Sequence, residues 1–453
     1  MSTCYPTRSS SPSYEERLHA FECKQLEQQC VPTGFSKETS SLHEEDLPSV
    51  SCLGRQDLRG DRCFTIDCDD TKDMDDAISL SKTVFGYLLL VHIADLAAYV
   101  PHSSWLDAEA QLRATSIYLT LQTIPMLPKV LSNILCSLHP GADRLAVTIR
   151  IELDNKGDVL SYAIFKSIIC SSLKGTYSEV NKFLTGKADV ALSAKYAAVG
   201  VELFEMKYLA FKLRERRIHD GASVADDKEL RININDRLLN ITPVQKGDAE
   251  HSVEEVMILA NRVVAEYFRS HNLPALYRAQ AEKGTQAYYT SKECCPHTHA
   301  ELALENYMHF TAPVRRFADL VNHQILSAHL RGMDSATIRS VFDDETLADL
   351  AEQVTRKSRR ADNIERACQR YCIRMLVESQ PDKLYPARMI GHDPRNHLPI
   401  IEIPQFRVRV YGSFGLRATI GDILTCSLKH HPDPNTNRLI GVNIRHRSFA
   451  AAA

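Results

Sequence analysis

The sequence predicts an α+β protein: a large domain with a mixed sheet surrounded by helices, followed by a small β-barrel. Three observations carry this. Strand-like apolar runs dominate the chain up to Leu153. Stretches with apolar residues at helical spacing then take over, at Leu192–Arg217, Ser252–Arg269, Pro313–Leu330 and Glu345–Glu378. After Pro381 short strand-like runs return (YPARMI, LPIIEI, FRVRVY, DILTCSL, LIGVNI), separated by Pro, Gly and Asn turns. The expected division is 1–50 as a partly disordered N-terminal segment, 51–380 as the main domain and 383–448 as the barrel.

Taken in order, residues 1–12 are polar and rich in Ser and Pro, a composition that cannot bury a core. Residues 13–30 read as a short helix, and 31–55, with Pro32, Gly34 and Pro48, as a connector. Cys63–Asp67 is a short strand running into an acidic loop. GYLLLVHI, 86–93, is an apolar run of strand length, hence a buried strand. Ser103 and Ser104 can cap a helix over Trp105–Arg113. LAVTIRIEL, 145–153, alternates as a half-buried strand and ends at the turn Asn155-Lys156-Gly157. Glu345–Glu378 is one long helix or a pair. Residues 385–448 hold nine Lys/Arg against four Asp/Glu, a local excess of five positive charges on an OB-type strand pattern. There is no internal repeat.

The 453 residues are 44% hydrophobic, enough for a large core and a second small one. The net charge is −3, so any nucleic-acid partner must be held by locally concentrated positive charge. The 13 cysteines are odd in number and contain no C-x2-C pair; Cys294-Cys295 and Cys368-x3-Cys372 lack partners at zinc spacing. They read as reduced thiols of a cytoplasmic protein. The N-terminus, MSTCYPTRSSSPSYEERLHAFE, lacks an apolar stretch, and its early acids argue against a transit peptide. No run of ~18 apolar residues occurs, so no membrane partner is expected, and no obligatory protein partner is indicated. Walker A, H-E-x-x-H and G-x-S-x-G elements are absent.

The strongest local signal is Thr65-Ile-Asp67-Cys-Asp69-Asp70-Thr-Lys-Asp73-Met-Asp75-Asp76-Ala77, in which six of the ten residues from 67 to 76 are aspartates. Carboxylates this close raise one another's pKa unless a cation intervenes. An EF-hand loop fails, because Lys72 stands where its glycine is needed and Ile78 where its glutamate is needed. Two readings stay open. One is a solvated acidic loop. The other is a site for magnesium, or manganese, serving phosphoryl chemistry, since the ligands are all oxygens. The apolar residues on both sides argue against a purely exposed loop.

Thr311-Ala-Pro313-Val-Arg315-Arg316-Phe-Ala-Asp319 reads as the opening of an amphipathic helix with Pro313 in its first turn. Arg315 and Arg316 then oppose the helix dipole. Either they pair with nearby acids, or they meet an anion docked at the helix N-terminus. Tyr118, in Ser116-Ile-Tyr118-Leu, is a core residue or a platform for a stacked base. His92 ends a strand and reads as structural.

Taken together, these residues resemble the RNB family, the catalytic domain of bacterial ribonucleases II and R. The matching stretches are Asp57-Leu-Arg59, TIDCDDTKDMDDAISL (65–80), VHIADLAAYV (91–100), LDAEAQLRATSIYLTLQTIPMLPKVLSNILCSLHPGADRLA (106–146), GTYSEVN (175–181), VEEVMILANRVVAEYF (253–268), LYR (276–278) and HFTAPVRRFADLVNHQIL (309–326). They occur in the family's order. The resemblance implies a magnesium-dependent hydrolytic 3′→5′ exoribonuclease acting on single-stranded RNA and releasing nucleoside 5′-monophosphates. It implies that Asp67 and Asp76 hold metal, that Asp75 is most critical for cleavage, and that Asp73 supports the site. Arg315 would clamp the phosphate and Tyr118 would stack on the terminal base, with Arg316 beside them on the RNA. The barrel resembles an S1 domain, chiefly at Gly421-Asp422-Ile423-Leu424.

The chain departs from the family pattern in two places. About 55 residues precede the resemblance, where the family usually carries cold-shock barrels. The stretch from Tyr277 to His309 is short and contains Cys294-Cys295-Pro296, where the family usually has tens more residues. These departures keep a second expectation alive, a non-catalytic RNA-binding protein on the same fold.

Overall fold

In the computed structural model, residues 12–47, 53–223, 228–280, 286–290, 298–395, 397–412, 418–430 and 439–446 are described. Residues 1–11, Pro48, Cys294, Cys295, Arg417, Arg438 and Arg447 fall outside them, so the readings placed there are not addressed by the structure.

The apolar runs assemble into a seven-stranded mixed sheet. Its strands are β1 (Gln56–Asp57), β2 (Phe64–Asp67), β3 (Asp76–Lys82), β4 (Gly86–Ala94), β7 (Asp143–Asp154), β8 (Val159–Cys170) and β9 (Leu173–Thr176), in the order β1-β8-β7-β4-β3-β2-β9. The outer pairs β1–β8 and β2–β9 are parallel and the rest antiparallel. A two-stranded pair, β5 (Ile117–Tyr118) and β6 (Thr123–Ile124), stands apart from it. β4 is buried along nearly its whole length, which its unbroken apolar run demands.

Helices cover this sheet. Leading in are α1 (Tyr14–Gln28) and the short α2 (Lys37–Ser40); Ser13 and Glu16 close a reciprocal capping box at the start of α1. Ser104 caps α3 (Trp105–Arg113) through the Asp107 N–H. Then come α4 (Tyr177–Leu184), α5 (Val190–Tyr196), α6 (Gly200–His219), α7 (Asp248–Ser270), α8 (Phe317–Leu330), α9 (Ser335–Val341) and α10 (Asp344–Ser379). The single helix expected over Leu192–Arg217 is two, broken by a 3-10 turn at Ala197–Val199. The long helical stretch resolves to one 36-residue helix, α10, capped by Asp343. The hairpin β10 (Lys228–Ile234) and β11 (Leu239–Gln245) precedes α7. The sheet of β12 (Leu276–Gln280), β13 (Gln286–Thr290), β14 (Thr298–His299) and β15 (Leu304–Glu305) follows it.

The C-terminal strands β16 (Tyr385–His392), β17 (Pro399–Ile403), β18 (Val408–Tyr411), β19 (Ile423–His430) and β20 (Leu439–His446) close into a barrel in the order β16-β17-β18-β20-β19. β18 and β20 pair in parallel and the other neighbours antiparallel, the five-stranded OB-type arrangement. Its core is not separate from the body. Ile401, Ile403, Phe406 and Leu424 pack in one cluster with Leu18 of α1, Leu239 and Ile241 of the β10–β11 hairpin, and Cys372, Ile373 and Leu376 of α10. The expected boundary near residue 380 therefore separates elements, not cores.

Candidate active site

Asp67 ends β2 and Asp76 begins β3, its antiparallel neighbour, so both carboxylates stand at one end of the sheet. The loop between them is held from four sides. The Lys174 ammonium donates to the Thr71 carbonyl at 2.6 Å. The Ser137 hydroxyl donates to the Lys72 carbonyl at 2.8 Å and accepts from the Met74 N–H at 3.0 Å. Leu138 N–H donates to Met74 O at 3.0 Å, and Ala94 N–H to Asp75 O at 2.9 Å. Met74 is fully buried and pins the loop as an apolar peg between two acids. The exposed Asp69 accepts from the Ser178 hydroxyl at 2.8 Å, at the first turn of α4. Asp70 is exposed.

Arg315 comes to this loop from the segment before α8. Its Nε lies 3.8 Å from Asp75 Oδ2, and its side chain is 43% exposed. Val314 N–H donates to Asp75 Oδ1 at 3.1 Å. The helix does not begin at Pro313. It begins at Phe317, with Arg316 extended at the N-cap position. The Arg315 and Arg316 N–H groups both close a turn on Ala312 O, and Phe317 N–H donates out of the helix to Ala114 O at 2.9 Å. Tertiary hydrogen bonds thus delay the helix by a turn.

Arg316, expected beside Arg315 on the RNA, is engaged within the protein. Its guanidinium grips Asp319 through Nε at 3.0 Å and Nη2 at 2.7 Å. Asp319 is fully buried and also accepts from Ala312 N–H at 2.9 Å. Burial opposes the Arg316 charge, but Asp319 more than offsets it and holds the group above its ordinary pKa. Of the two readings left open for these arginines, pairing with a nearby acid applies to Arg316.

Tyr118 is brought to the same place. Ser116 N–H donates to Arg315 O at 3.0 Å, which ties the strand carrying Tyr118 to the segment carrying Arg315. The Tyr118 hydroxyl donates to Asp73 Oδ2 at 3.2 Å, while 42% of the residue stays exposed. The phenol end is thus engaged while the residue as a whole stays partly exposed. Its backbone N–H donates to Glu365 Oε1 at 2.8 Å, from α10. Glu365 and Lys174 are neighbours the sequence did not single out. A lone acid on a long charged helix, and a lysine ahead of GTYSEVN, carry no pattern of their own.

The electrostatics are those of crowded, partly dry acids. Burial lifts Asp67 to about 6, with Lys174 opposing and Asp73 adding to the rise. Burial lifts Asp75 to about 7 against the pull of Arg315 and the Val314 N–H. Asp76 stands well above the carboxylate range, from burial first and then from the charges of Asp67 and Asp75. The Tyr177 phenol is likewise raised, by burial and then by Asp76 and Asp67. Ionising all these carboxyls together is costly unless a cation is shared among them. An oxygen-only donor set of high negative charge suits magnesium or manganese. Among the described residues no three His, Cys, Asp or Glu side chains are already gathered as a coordination group, so the fit rests on donor type and charge.

His92 is buried between Ser79, at 3.0 Å from Nε2, and Thr148, at 2.9 Å from Nδ1, and burial lowers it to about 3. It is structural, as its strand position suggested. Every cysteine among the described residues is a free thiol.

The RNB domain family model matches residues 55–293 and 284–332. The chain belongs to the RNB family. The two matched stretches meet inside the shortened segment between Tyr277 and His309. Ribonuclease R of Thermotoga maritima is 34% identical over 368 residues, 69% of this chain and 51% of that protein. The chain thus spans about half the length of the curated relatives it matches. Among solved structures, Mycoplasma genitalium RNase R in complex with ribose methylated single-stranded RNA has a TM-score of 0.81 at 22% identity, over 94% of this chain and 78% of that one. Yeast Ssd1, a pseudonuclease, has a TM-score of 0.69 at 17% identity, over 87% of this chain and 55% of that one. At these identities the likenesses establish the RNB fold and leave the chemistry to be argued from residues.

Proposed function

We propose that this RNB protein is a magnesium-dependent hydrolytic 3′→5′ exoribonuclease that acts on single-stranded RNA and releases nucleoside 5′-monophosphates. The observation that carries the reading is the convergence of the acidic loop with Arg315 and Tyr118: Arg315 stands 3.8 Å from Asp75, and the Tyr118 phenol donates to Asp73. The relationship to ribonuclease R supports it.

In this reading Asp67 and Asp76, on neighbouring strand ends, hold magnesium, with manganese as a substitute. A bound ion would supply charge for the phosphate and lower the pKa of an attacking water. Asp75 is held on both sides, by Val314 N–H and by Arg315, and orients that water. Arg315 is free to fork two oxygens of the scissile phosphate and stabilise the charge that grows on it. Tyr118 offers its ring to the 3′-terminal base. Asp73 receives the Tyr118 hydroxyl and fixes the ring. Arg316 acts through Asp319 by setting the backbone from which Arg315 projects. The free thiols support a cytoplasmic setting. No helix among the described residues is long and apolar enough to cross a membrane.

Ssd1 favours stating the second reading, a non-catalytic RNA-binding protein, since its fold persists in a pseudonuclease. The four acids and Arg315 together favour catalysis. A 5′-labelled single strand with magnesium, beside an EDTA control, separates the two. One-nucleotide shortening that EDTA abolishes supports the enzyme. Bound but unshortened RNA supports the rival. A DNA strand run in parallel reports whether the 2′-hydroxyl is read.

A further inference from the structure

Helix α6 is apolar on two opposite faces. Leu203, Met206, Leu209 and Ala210 face the core. On the other side Val201, Phe204, Tyr208, Phe211 and Ile218 are between 39% and 73% exposed. A surface helix normally turns polar residues outward. Here the outward positions follow the alternating three-and-four spacing of a helix–helix seam, with Glu215 as its one polar member. The charged residues of α6 stand on the flanks and are drawn back to the body: Glu202 to Arg62 at 3.0 Å, Glu205 to Lys82 at 3.3 Å, Lys207 to Asp248 at 2.7 Å and Arg216 to Asp158 at 2.6 Å. They leave most of the seam open; Phe204 leans on the Phe183 ring and the Lys212 ammonium lies 4.1 Å over the Tyr208 ring.

The Lys82–Glu205 pair also brings the β3–β4 turn beside the helix. Val84 and Phe85, at the tip of that turn, are 90% and 78% exposed. Seam and tip together expose on the order of 900 Å², above the ~300–600 Å² of the largest patch on a typical monomer and comparable to the ~800 Å² each partner buries in a standard interface.

We propose that this face is a self-association surface, on which α6 of a second copy packs antiparallel about a two-fold axis between Leu209 and Ala210. The seam is self-complementary in that register. Val201 meets Ile218 of the second copy, Tyr208 meets Phe211, and Phe204 meets Glu215. An isologous pair of this kind is the commonest oligomer symmetry. Glu215 weakens the pairing and fixes its register, as single polar seam residues do. The surface lies at the far end of β3 from Asp76, about 20 Å away at the strand rise of ~3.3 Å per residue, so each copy keeps its own active site open.

The test is sedimentation velocity of the full chain over about 1–100 µM, a range that brackets typical transient dimers. Wild type should pass from monomer to dimer. F204E/F211E should weaken the dimer roughly tenfold or more, as loss of central aromatic anchors does. Glu215→Leu should tighten it, because it completes the seam. RNA shortening per chain should be unchanged in both, and unchanged far-ultraviolet circular dichroism should accompany substitutions at exposed positions. A wild-type chain that stays monomeric throughout, or a dimer indifferent to both variants, overturns the proposal.

Discussion

Asp75→Asn should separate stability from activity. Asparagine keeps the oxygen that accepts from Val314 N–H and changes almost no volume, so the loop stays in place. What it removes is the charge. Without a cation, the Asp75 carboxyl is raised from 3.8 to about 7 by burial. A raised acid in the folded state keeps a proton that the unfolded chain has already lost. Stability therefore falls as pH rises from 3.8 to about 7, and the loss is complete above that. At roughly 1.4 kcal/mol per tenfold, that gap corresponds to about 4 kcal/mol at pH 8. In EDTA at pH 8, Asp75→Asn should accordingly be more stable than wild type by on the order of 2–4 kcal/mol, and melt several degrees higher. Below pH 4 the two should converge, because both side chains are then neutral.

Activity should move the other way. Losing one charged group that helps activate water typically removes about 4 kcal/mol of transition-state stabilisation, a rate loss on the order of a thousandfold. RNA affinity should hold, since Tyr118 and Arg315 are untouched. The assay pairs single-turnover cleavage with magnesium against melting curves in EDTA from pH 4 to 8. Wild-type cleavage by the variant would falsify the catalytic assignment. A lower melting point at pH 8 would sink the claim that the loop stores carboxylate repulsion.

Arg315→Lys keeps the charge but loses the fork, so cleavage should fall at least about tenfold with little change in affinity, and full turnover would reduce Arg315 to a surface charge. Arg316→Lys should instead cost roughly 3 kcal/mol of stability, because the fully buried Asp319 loses its bidentate partner; a normal melting point would refute this. Arg388 and Arg409 are exposed on the barrel and flank Glu402 in register, so their joint replacement by glutamate should weaken binding of a ~20-nucleotide strand and flatten its salt dependence. Equal affinity and slope would shift the RNA anchor to α10 around Arg356, Arg359 and Arg360. His92, held near 3, and His323, near 4, stay neutral in the fold while the unfolded chain takes up protons below 6.5. Stability should therefore decline as pH falls from 6.5 toward 4, and His92→Gln should show a shallower decline; an unchanged pH slope would contradict it.

The parts of the fold legible in the sequence are those that local pattern decides. An unbroken apolar run could only be a buried strand, and β4 is one. Ser13 and Ser104 cap the helices that follow them because their side chains meet N–H groups three residues on. The acidic loop was legible because its like charges have no cheap explanation. What escaped was decided by distant partners. β8 is only partly buried along its first half, with Leu160 and Ser161 exposed, and gained its pairing from β7 across a turn. The start of α8 moved because Ala114, two hundred residues away, claims the N–H of Phe317. The barrel reads as a separate unit in sequence, yet its core runs into α1 and α10, which no local pattern reports. Truncation after Ser379 would strip apolar contacts from Cys372, Ile373 and Leu376, so point substitutions are the sound probe of the barrel.

Two adjacent arginines show most clearly how the fold divides labour. Arg315 and Arg316 share charge, size and neighbourhood, and sequence gives no reason to separate them. The extended conformation of Arg316 turns successive side chains to opposite sides of the backbone. One side is dry, and there Asp319 takes both the guanidinium of Arg316 and the N–H of Ala312, closing the turn. The other side opens on the acids, where, among the described residues, the ion pairing of Arg315 is the loose contact with Asp75 at 3.8 Å. A rigid grip on one arginine thus holds the other half-exposed and uncommitted. That is the condition a phosphate clamp requires, because an arginine already locked to a carboxylate would have to give up that partner before gripping RNA. The buried Arg316–Asp319 pair serves the site by leaving Arg315 free.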